Sequence, residues 1–266
     1  MRSKKYAICY NSNLENSDAL AAKIELELKK FNASYTILNI DDLKSDVDFA
    51  FVIGGDGSIL KTARFYSQYS IPIFGFNTGH LGFLSQAGEH NIEETITKIF
   101  SGDYKTEKRI MLKSGDYCAL NDFVIKGENS SRAVSFCLKI DNRFVCEYFA
   151  DGIIISTPTG STAYGMAAGG PIVVPEVEAL TIVPICPHTF SARPIIVPSN
   201  SSIKIIGKEN SKYVACADGQ ETFCFEREVE ISQSSNKAHL ALLNDNDFYK
   251  VLKNKLHWGY TPYSCK

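Results

Sequence analysis

The feature that most constrains the fold of this chain is a change of hydrophobic period near residue 104. Before it, short apolar runs such as DFAFVI and IPIFGF alternate with segments of helical period such as NSDALAAKIELELKKF and NIEETITKIF. After it, the helical period fades, and short β-branched and aromatic runs separated by turn residues continue to about residue 240. The first pattern predicts an α/β domain with a mostly parallel sheet, and the second predicts a β-rich, sandwich-like domain.

The same patterns divide the 266 residues into three predicted parts, 1–103, 104–240 and 241–266. In the last part, DNDFYKVLKNKLHW has helical spacing, with Phe248, Val251 and Leu252 on one side. We therefore expect a C-terminal helix that packs back on one of the two domains.

Composition excludes several classes of function. The net charge of -2 lacks the basic excess that nucleic-acid grooves and anionic membrane surfaces attract, so we expect neither partner. The run YAIC near the start is too short for a signal-peptide core, and no apolar run reaches transmembrane length, which predicts a cytoplasmic protein. The eight cysteines include no C-x-x-C pair, so neither a zinc site nor a redox pair is indicated.

A glycine loop follows the apolar run FVI and precedes a helical segment. A strand, a glycine turn and a helix together present backbone N–H groups and the positive end of a helix dipole to an anion. The spacing of Gly54, Gly55 and Gly57 fits neither of the two commonest nucleotide fingerprints. We expect Ser58 to cap the helix and Lys61, about one turn later, to add positive charge near the loop.

Asp56 places a negative charge inside this loop. A carboxylate in contact with a phosphate is repelled by about 1 kcal/mol in water and by about 4 kcal/mol at an intermediate dielectric. Two uses would justify that cost, namely holding a divalent cation that bridges phosphates, or accepting the proton of a hydroxyl that attacks a phosphoryl group. Both uses indicate a kinase-like reaction, and the alternative is a simple tight turn.

A second polar segment, DGIIISTPTGSTAYGMAAGGP, occupies residues 151–171. Its hydroxyls, which include those of Thr159 and Thr162, suit a sugar or a phosphate, and Tyr164 offers a ring face. Upstream, Asn121 and Asp122 stand between apolar neighbours, where they suit ribose hydroxyls or nucleoside edges. The alternatives are a polar surface turn for the first segment and a strand end for the second.

Taken together, five ordered motifs resemble those of the NAD kinase family. They are GGDGSILKTA at 54–63, NTGHLGFLS at 77–85, LNDFVI at 120–125, the segment at 151–171, and ICPHTFSARPIIVP at 185–198. The resemblance runs from about residue 50 to about residue 220. It implies an N-terminal α/β domain, a β-rich NAD-binding domain and a homodimer or homotetramer.

The resemblance also implies the reaction and its participants. A phosphoryl group passes from ATP, with a divalent cation such as Mg²⁺, to the 2′-hydroxyl of the adenosine ribose of NAD, which gives NADP. Asp56 falls on the aspartate assigned as proton acceptor in the family, and no metal ion is expected to be fixed by protein ligands alone. The residues implied to contact nucleotides are Gly54, Gly55, Gly57, Lys61, Asn121, Asp122, Asp151, Thr159, Thr162, Ala163, Tyr164 and Gln220.

Two departures from the family pattern bear on the acceptor. The family commonly has Asn-Glu where this chain has Asn121-Asp122, and many members carry Arg or Lys where this chain has Phe149. If that cation meets a phosphate or the nicotinamide end, this protein either does without it or uses Arg132 in its place. The choice between NAD and NADH stays open, and the alternative functions are a GGDG-type lipid kinase and a non-catalytic NAD sensor.

Overall fold

The computed structural model describes residues 4–79, 82–128, 133–208, 211–244 and 247–259. The chain forms two compact units, Met1–Lys108 together with His239–Lys266, and Arg109–Ala238. The residues after 238 therefore belong with the N-terminal part of the chain. Among the described residues, no helix is long and apolar enough to cross a membrane.

Strands and helices alternate at first, and strands then dominate. The helices are α1 (Ser17–Lys30), α2 (Asp56–Ser67), α3 (Ile92–Ser101), α4 (Tyr164–Ala167) and α5 (Phe248–Leu256). The strands are β1 (Lys5–Tyr10), β2 (Ser34–Asn39), β3 (Phe49–Ile53), β4 (Ile73–Phe76), β5 (Tyr104–Arg109), β6 (Leu112–Ser114), β7 (Tyr117–Ala119), β8 (Asp122–Gly127), β9 (Val134–Ile140), β10 (Arg143–Ala150), β11 (Gly152–Ser156), β12 (Ala179–Ile185), β13 (Ile195–Pro198), β14 (Ile203–Gly207), β15 (Tyr213–Ala217), β16 (Glu221–Phe225), β17 (Glu228–Gln233) and β18 (Ala238–Leu243).

The first unit contains the predicted α/β layer. Its sheet has the strand order β2-β1-β3-β4-β18-β5, and the pairings of β1 with β2 and β3, of β3 with β4, and of β4 with β18 are parallel. Strand β3 is buried along its whole length, as expected for a strand covered on both faces. The spacing predicts a buried face of Leu20, Ile24, Leu28 and Phe31 on α1 and of Ile92, Ile96 and Ile99 on α3. All are buried except Phe31, which follows the last residue of α1 and is 39% exposed.

The helix after the glycine loop begins earlier than we expected. The prediction that Ser58 caps it is wrong, because α2 begins at Asp56 and the capping position is Gly55, which has extended backbone. Ser58 is instead buried in the first turn, where its N–H donates to the carbonyl of Gly55 at 3.0 Å. A carboxylate at the first helical position is favoured by the positive end of the helix dipole, which accounts for the earlier start.

The second unit is the predicted β-rich domain. One sheet has the order β10-β9-β14-β17-β6-β7 and the other β13-β12-β11-β8-β15-β16, and neighbouring strands in both sheets pair antiparallel. One apolar core draws residues from both sheets, among them Phe123 and Ile155 from one and Phe136 and Ile205 from the other. This arrangement confirms the sandwich-like prediction.

Several strands of this unit differ from the sequence prediction. We expected TFCFEREVEIS to form one strand, but it is divided between β16 and β17, which belong to different sheets. Strands β6 and β7 were not predicted, and neither was β12, which contains Pro184 although proline is normally confined to strand ends, edges or bulges. It nevertheless pairs with β11 and β13 and is buried throughout.

Candidate active site

The glycine loop turns sharply between β3 and α2. Gly54 has φ 147°, a conformation that side chains rarely adopt, and a Cβ atom there would overlap with Ser58. The N–H of Gly54 donates to the carbonyl of Phe76 at 2.9 Å, which ties the start of the loop to the end of β4. Asp56 is half-buried and Gly57 is exposed, so the loop brings the carboxylate to the surface of the first unit at a helix N-terminus.

The Asp56 carboxylate accepts hydrogen bonds from a second loop of the same unit, which follows β4. One of its oxygens accepts a hydrogen bond from the N–H of Phe83 at 2.9 Å, and the other accepts one from the N–H of Leu84 at 3.1 Å. Gly82 lies so close that a Cβ atom there would overlap with the carboxylate. A carboxylate has about four lone-pair positions, so two accepted bonds fix its orientation and leave acceptor capacity for a substrate hydroxyl.

Two side chains brace this second loop. Asn77, which is buried directly after β4, donates through its amide to the hydroxyl of Ser85 at 3.1 Å and accepts from the N–H of Gly79 at 2.6 Å. The hydroxyl of Ser85 also accepts from the N–H of Gly82 at 2.6 Å. The sequence marks NTGHLGFLS only as a family motif and indicates no site residue within it. Its polar ends, placed directly after a buried strand, were the available signal.

Lys61, the predicted nucleotide contact on α2, forms an ion pair with Asp41. Both side chains are substantially exposed, and ion pairs of that kind are worth at most about 1 kcal/mol. An anionic ligand can therefore compete for this ammonium group at little cost. Lys61 lies in the first unit with Gly54, Gly55, Asp56 and Gly57, and the other predicted site residues lie in the second.

In the second unit, Asn121 ends the turn that leads into β8, and Asp122 is the first residue of that strand. The carbonyl of Asn121 accepts from the N–H of Thr157 at 2.9 Å and from the hydroxyl of Ser156 at 3.2 Å. A Cβ atom on Gly160 would overlap with the same carbonyl. The segment that follows β11 thus sits directly against the Asn121 backbone, and the structure brings together two of the predicted polar groups.

The hydroxyls of that segment are engaged within the unit. The hydroxyl of Thr159 accepts from the guanidinium of Arg109 at 3.3 Å, and the hydroxyl of Thr162 donates to the carbonyl of Thr159 at 3.3 Å. Both threonines are buried, whereas Ala163 is half-buried. The hydroxyl of Ser161 donates to the carbonyls of Pro158 and Val173, so much of the predicted polar surface acts to hold the loop in shape.

Asp122 is the most unusual acid of the second unit, because only 4% of its surface is exposed. Burial, and secondly the nearby charge of Asp218, raise the pKa of Asp122 to about 7. A carboxyl that titrates near neutrality can either donate or accept a hydrogen bond, and perturbed acids of this kind are concentrated at functional sites. The sequence identified this residue but gave no sign of its burial.

Tyr164 lies on the same unit with its ring exposed, and the ammonium of Lys126 stands 5.5 Å from the ring centre. This cation–π contact occupies one face of the ring that the sequence predicts to stack on a base or ring. Lys126 pairs with Gly152 at one end of β11, whereas Asp122 pairs with Ser156 at the other. Exposed Asp151 therefore stands at the end of β11 away from Asp122, about 16 Å along the strand direction.

The remaining predicted residues are placed as follows. Gln220 is exposed in the turn between β15 and β16, and its N–H donates to the carbonyl of Ala217 at 2.9 Å. Arg132 lies outside the described residues. Phe149, which stands at a position where the family often has a cation, is exposed and meets the ring of His188 edge-on at 5.0 Å between centres.

The donor set for a metal ion is sparse. Among the described residues, no group of three or more His, Cys, Asp or Glu side chains could hold a metal ion. The acids of the predicted site are single residues on separate elements. Such a set fits a cation like Mg²⁺, which typically binds one or two carboxylates and depends on substrate phosphates for further ligands.

Both parts of the chain match family models. Residues 1–104 match the ATP-NAD kinase N-terminal domain, and residues 120–243 match the ATP-NAD kinase C-terminal domain. A NAD kinase of Clostridium botulinum (strain Kyoto / Type A2) is 42% identical over 248 residues, which cover 89% of this chain and 88% of the relative. A NAD kinase of Marinomonas sp. (strain MWYL1) is 42% identical over 239 residues, covering 84% and 81%.

Solved structures agree with these matches. The crystal structure of an NAD kinase from Archaeoglobus fulgidus in complex with ATP aligns with a TM-score of 0.82 at 28% identity, and the alignment covers 95% of this chain and 98% of that one. The fold is also that of yeast NADH kinase complexed with NADH, with a TM-score of 0.81 at 23% identity over 99% and 90% of the two chains. The resemblance that the five motifs predicted is confirmed, and the chain belongs to the NAD kinase family.

Proposed function

We propose that this protein transfers a phosphoryl group from ATP to the 2′-hydroxyl of the adenosine ribose of NAD and so produces NADP. Membership of the family supports this reaction, and the solved relative from Archaeoglobus fulgidus holds ATP. The observation that carries the proposal is the placement of Asp56, whose carboxylate stands at a helix N-terminus and is oriented by two backbone N–H groups.

Asp56 acts as the proton acceptor in this proposal. The N–H groups of Phe83 and Leu84 orient both oxygens, and the remaining lone pairs accept the proton of the attacking hydroxyl. The glycines on either side contribute backbone N–H groups, and Lys61 contributes charge, toward the phosphates of the donor. A positioned general base of this kind accounts for a rate factor of about 10²–10⁴.

The second unit provides the acceptor contacts in this proposal. Asn121 and Asp122 bind ribose hydroxyls or adenine edges, while Thr159, Thr162, Ala163 and Tyr164 shape the adjoining surface. Asp151, Gln220 and Arg132 remain predicted contacts. The first unit carries the proposed base and phosphate loop, and the second unit carries the proposed dinucleotide contacts.

A divalent cation, with Mg²⁺ as the expected ion, neutralises charge on the transferring phosphates when it is bound. In this proposal ATP carries the metal, because the described residues supply no cluster of ligands. The choice between NAD and NADH stays open, whereas a homodimeric or homotetrameric assembly and a cytoplasmic location stay predictions.

The test is the formation of NADP by the purified protein from ATP, Mg²⁺ and NAD, detected with an NADP-specific dehydrogenase. We expect Asp56→Asn to bind NAD but to turn over at least about a hundredfold more slowly, because the amide is a far poorer proton acceptor. Asp42→Asn is the matched control, since Asp42 is an exposed aspartate of the same unit. Turnover by Asp56→Asn at the rate of the control would remove Asp56 from the chemistry.

The alternative functions give different outcomes in the same assay. A GGDG-type lipid kinase would phosphorylate diacylglycerol or sphingosine in vesicles and leave NAD unchanged. A non-catalytic sensor would bind NAD in a calorimeter and form no NADP. The family models matched by both parts of the chain favour neither alternative.

A further inference from the structure

Asp218 stands beside the predicted NAD contacts, although none of the predicted roles includes it. It lies in the turn between β15 and β16 and has φ 51°, and the next residue, Gly219, has φ 68°. A left-handed conformation is uncommon for residues other than glycine, and Asp is among the few that tolerate it. The turn therefore holds Asp218 in a less favoured conformation that needs compensation from its surroundings.

The compensation comes from three consecutive backbone N–H groups. The Asp218 carboxylate accepts from the N–H of Leu120 at 3.0 Å, from that of Asn121 at 2.7 Å and from that of Asp122 at 3.2 Å. Successive N–H groups that converge on one anion form a concave nest, and bonds to an ionised acceptor are about twice as strong as neutral ones. In return, the N–H of Asp218 donates to the carbonyl of Asp122 at 2.9 Å.

These bonds clamp the backbone from which the two predicted contacts project. Asp218 binds the N–H side of Asn121, while Thr157 and Ser156 bind its carbonyl. The peptide groups on both sides of Asn121 are thus fixed by different elements of one unit. A displacement of this turn would move both side chains together.

We propose that Asp218 is a positioning residue for the ligand-binding pair Asn121 and Asp122, because its carboxylate fixes the turn from which both side chains project. The inference rests on the proposed function, since it concerns the binding of NAD. Asp218 also influences the charge of the site. Cys216 of β15 interacts with the charges of Asp122, Asp218 and Lys126, and Asp218 is the nearby charge that opposes ionisation of Asp122.

The test compares Asp218→Ala, Asp218→Asn and Asp218→Glu with a control, Asp116→Asn, which alters an exposed turn aspartate of the same unit. We expect Asp218→Ala to raise the KM for NAD at least about tenfold while the KM for ATP changes less than about twofold, because charge-assisted bonds to the NAD-binding turn are lost. Asp218→Asn keeps one acceptor oxygen, so its KM for NAD should lie between those of the wild type and Asp218→Ala. Asp218→Glu keeps the carboxylate, so its KM for NAD should also be lower than that of Asp218→Ala.

The dependence of the KM for NAD on pH supplies a readout that a purely structural role would not change. Removing the charge of Asp218 makes Asp122 easier to ionise. The midpoint of the change in the KM for NAD with pH should therefore move to lower pH by at least about 0.5 in Asp218→Asn, whichever form of Asp122 binds NAD. If Asp218→Ala does not fold, Asp218→Asn carries the test. A wild-type KM and a wild-type midpoint in Asp218→Asn would overturn the inference.

Hydrogen exchange separates failure of this inference from failure of the proposed function. In the protein without ligand, mass spectrometry of a peptide that spans residues 117–125 should show faster exchange in Asp218→Ala than in Asp116→Asn. If exchange is faster in Asp218→Ala but the wild-type protein forms no NADP, the proposed function is refuted, while the role of Asp218 in fixing the Asn121–Asp122 backbone is supported. If the wild-type protein forms NADP but exchange in Asp218→Ala equals that in Asp116→Asn, only the positioning role of Asp218 is refuted.

Discussion

Replacing Asp122 by Asn should stabilise the protein without ligand, and more so at high pH. The unfolded chain releases the Asp122 proton near the ordinary value of 3.8, whereas burial raises the pKa in the folded state to about 7. The folded state therefore binds the proton more tightly, and stability falls as the pH rises from 3.8 through about 7. One pKa unit corresponds to about 1.36 kcal/mol, so full ionisation costs the folded state about 4 kcal/mol.

Asparagine has nearly the same shape and does not ionise, so Asp122→Asn escapes this cost. Between pH 5 and pH 8, its stability relative to the wild type should rise by about 2–3 kcal/mol, equivalent to roughly 4–12 °C in Tm for a chain of this size. The assay is thermal unfolding of both proteins at the two pH values, with Asp116→Asn as the exposed control. A Tm difference between Asp122→Asn and wild type that is the same at pH 5 and pH 8 would refute the argument.

Three further predictions concern the loops of the site. Gly82→Ala should lower kcat at least about a hundredfold because its Cβ displaces the Asp56 carboxylate, whereas Gly88→Ala, where a Cβ meets nothing within 4 Å, should leave kcat unchanged. Equal kcat values for the two variants would contradict the proposed orientation of Asp56 by this loop. Gly160→Ala should reduce stability by about 1–3 kcal/mol and raise the KM for NAD, because its Cβ meets the carbonyl of Asn121. Thermal unfolding and initial rates check both effects, and a wild-type Tm would show that the loop is not packed as described. Lys61→Met should raise the KM for ATP severalfold. Asp41→Asn removes only the exposed ion-pair partner of Lys61, so it should change the free energy of unfolding by less than about 1 kcal/mol. An unchanged KM for ATP in Lys61→Met would remove that residue from the donor site.

The hydrophobic pattern predicted the large features of the fold because they depend on period alone. The apolar spacing of α1 and α3 and the fully apolar β3 specify buried faces without reference to the rest of the chain. Strand β12 was not predicted, and its Pro184 argues against a central strand, but its pairing with β11 and β13 outweighs that local preference. The start of α2 was misplaced because the helix dipole favours Asp56 at the first position over capping by Ser58.

The candidate site was predictable where function depends on residue type and unpredictable where it depends on distant contacts. Asp56 and the pair Asn121-Asp122 stood out as polar groups among apolar neighbours. The hydrogen bonds from Phe83 and Leu84 to Asp56 use backbone N–H groups. Every residue except proline carries such a group, so no residue type in the sequence predicts these bonds. Asp218 is separated from its partners by 96 to 98 residues, a pairing that only the fold establishes.

The position of the phosphate in the product tests the central claim most directly. The purified protein is incubated with ATP, Mg²⁺ and NAD, and the product is examined by ³¹P NMR and with an NADP-specific dehydrogenase. The account predicts one new phosphomonoester on the 2′-oxygen of the adenosine ribose, formed by the wild type and nearly absent with Asp56→Asn. A phosphate at another position, or NADP formed equally well by Asp56→Asn, would contradict it.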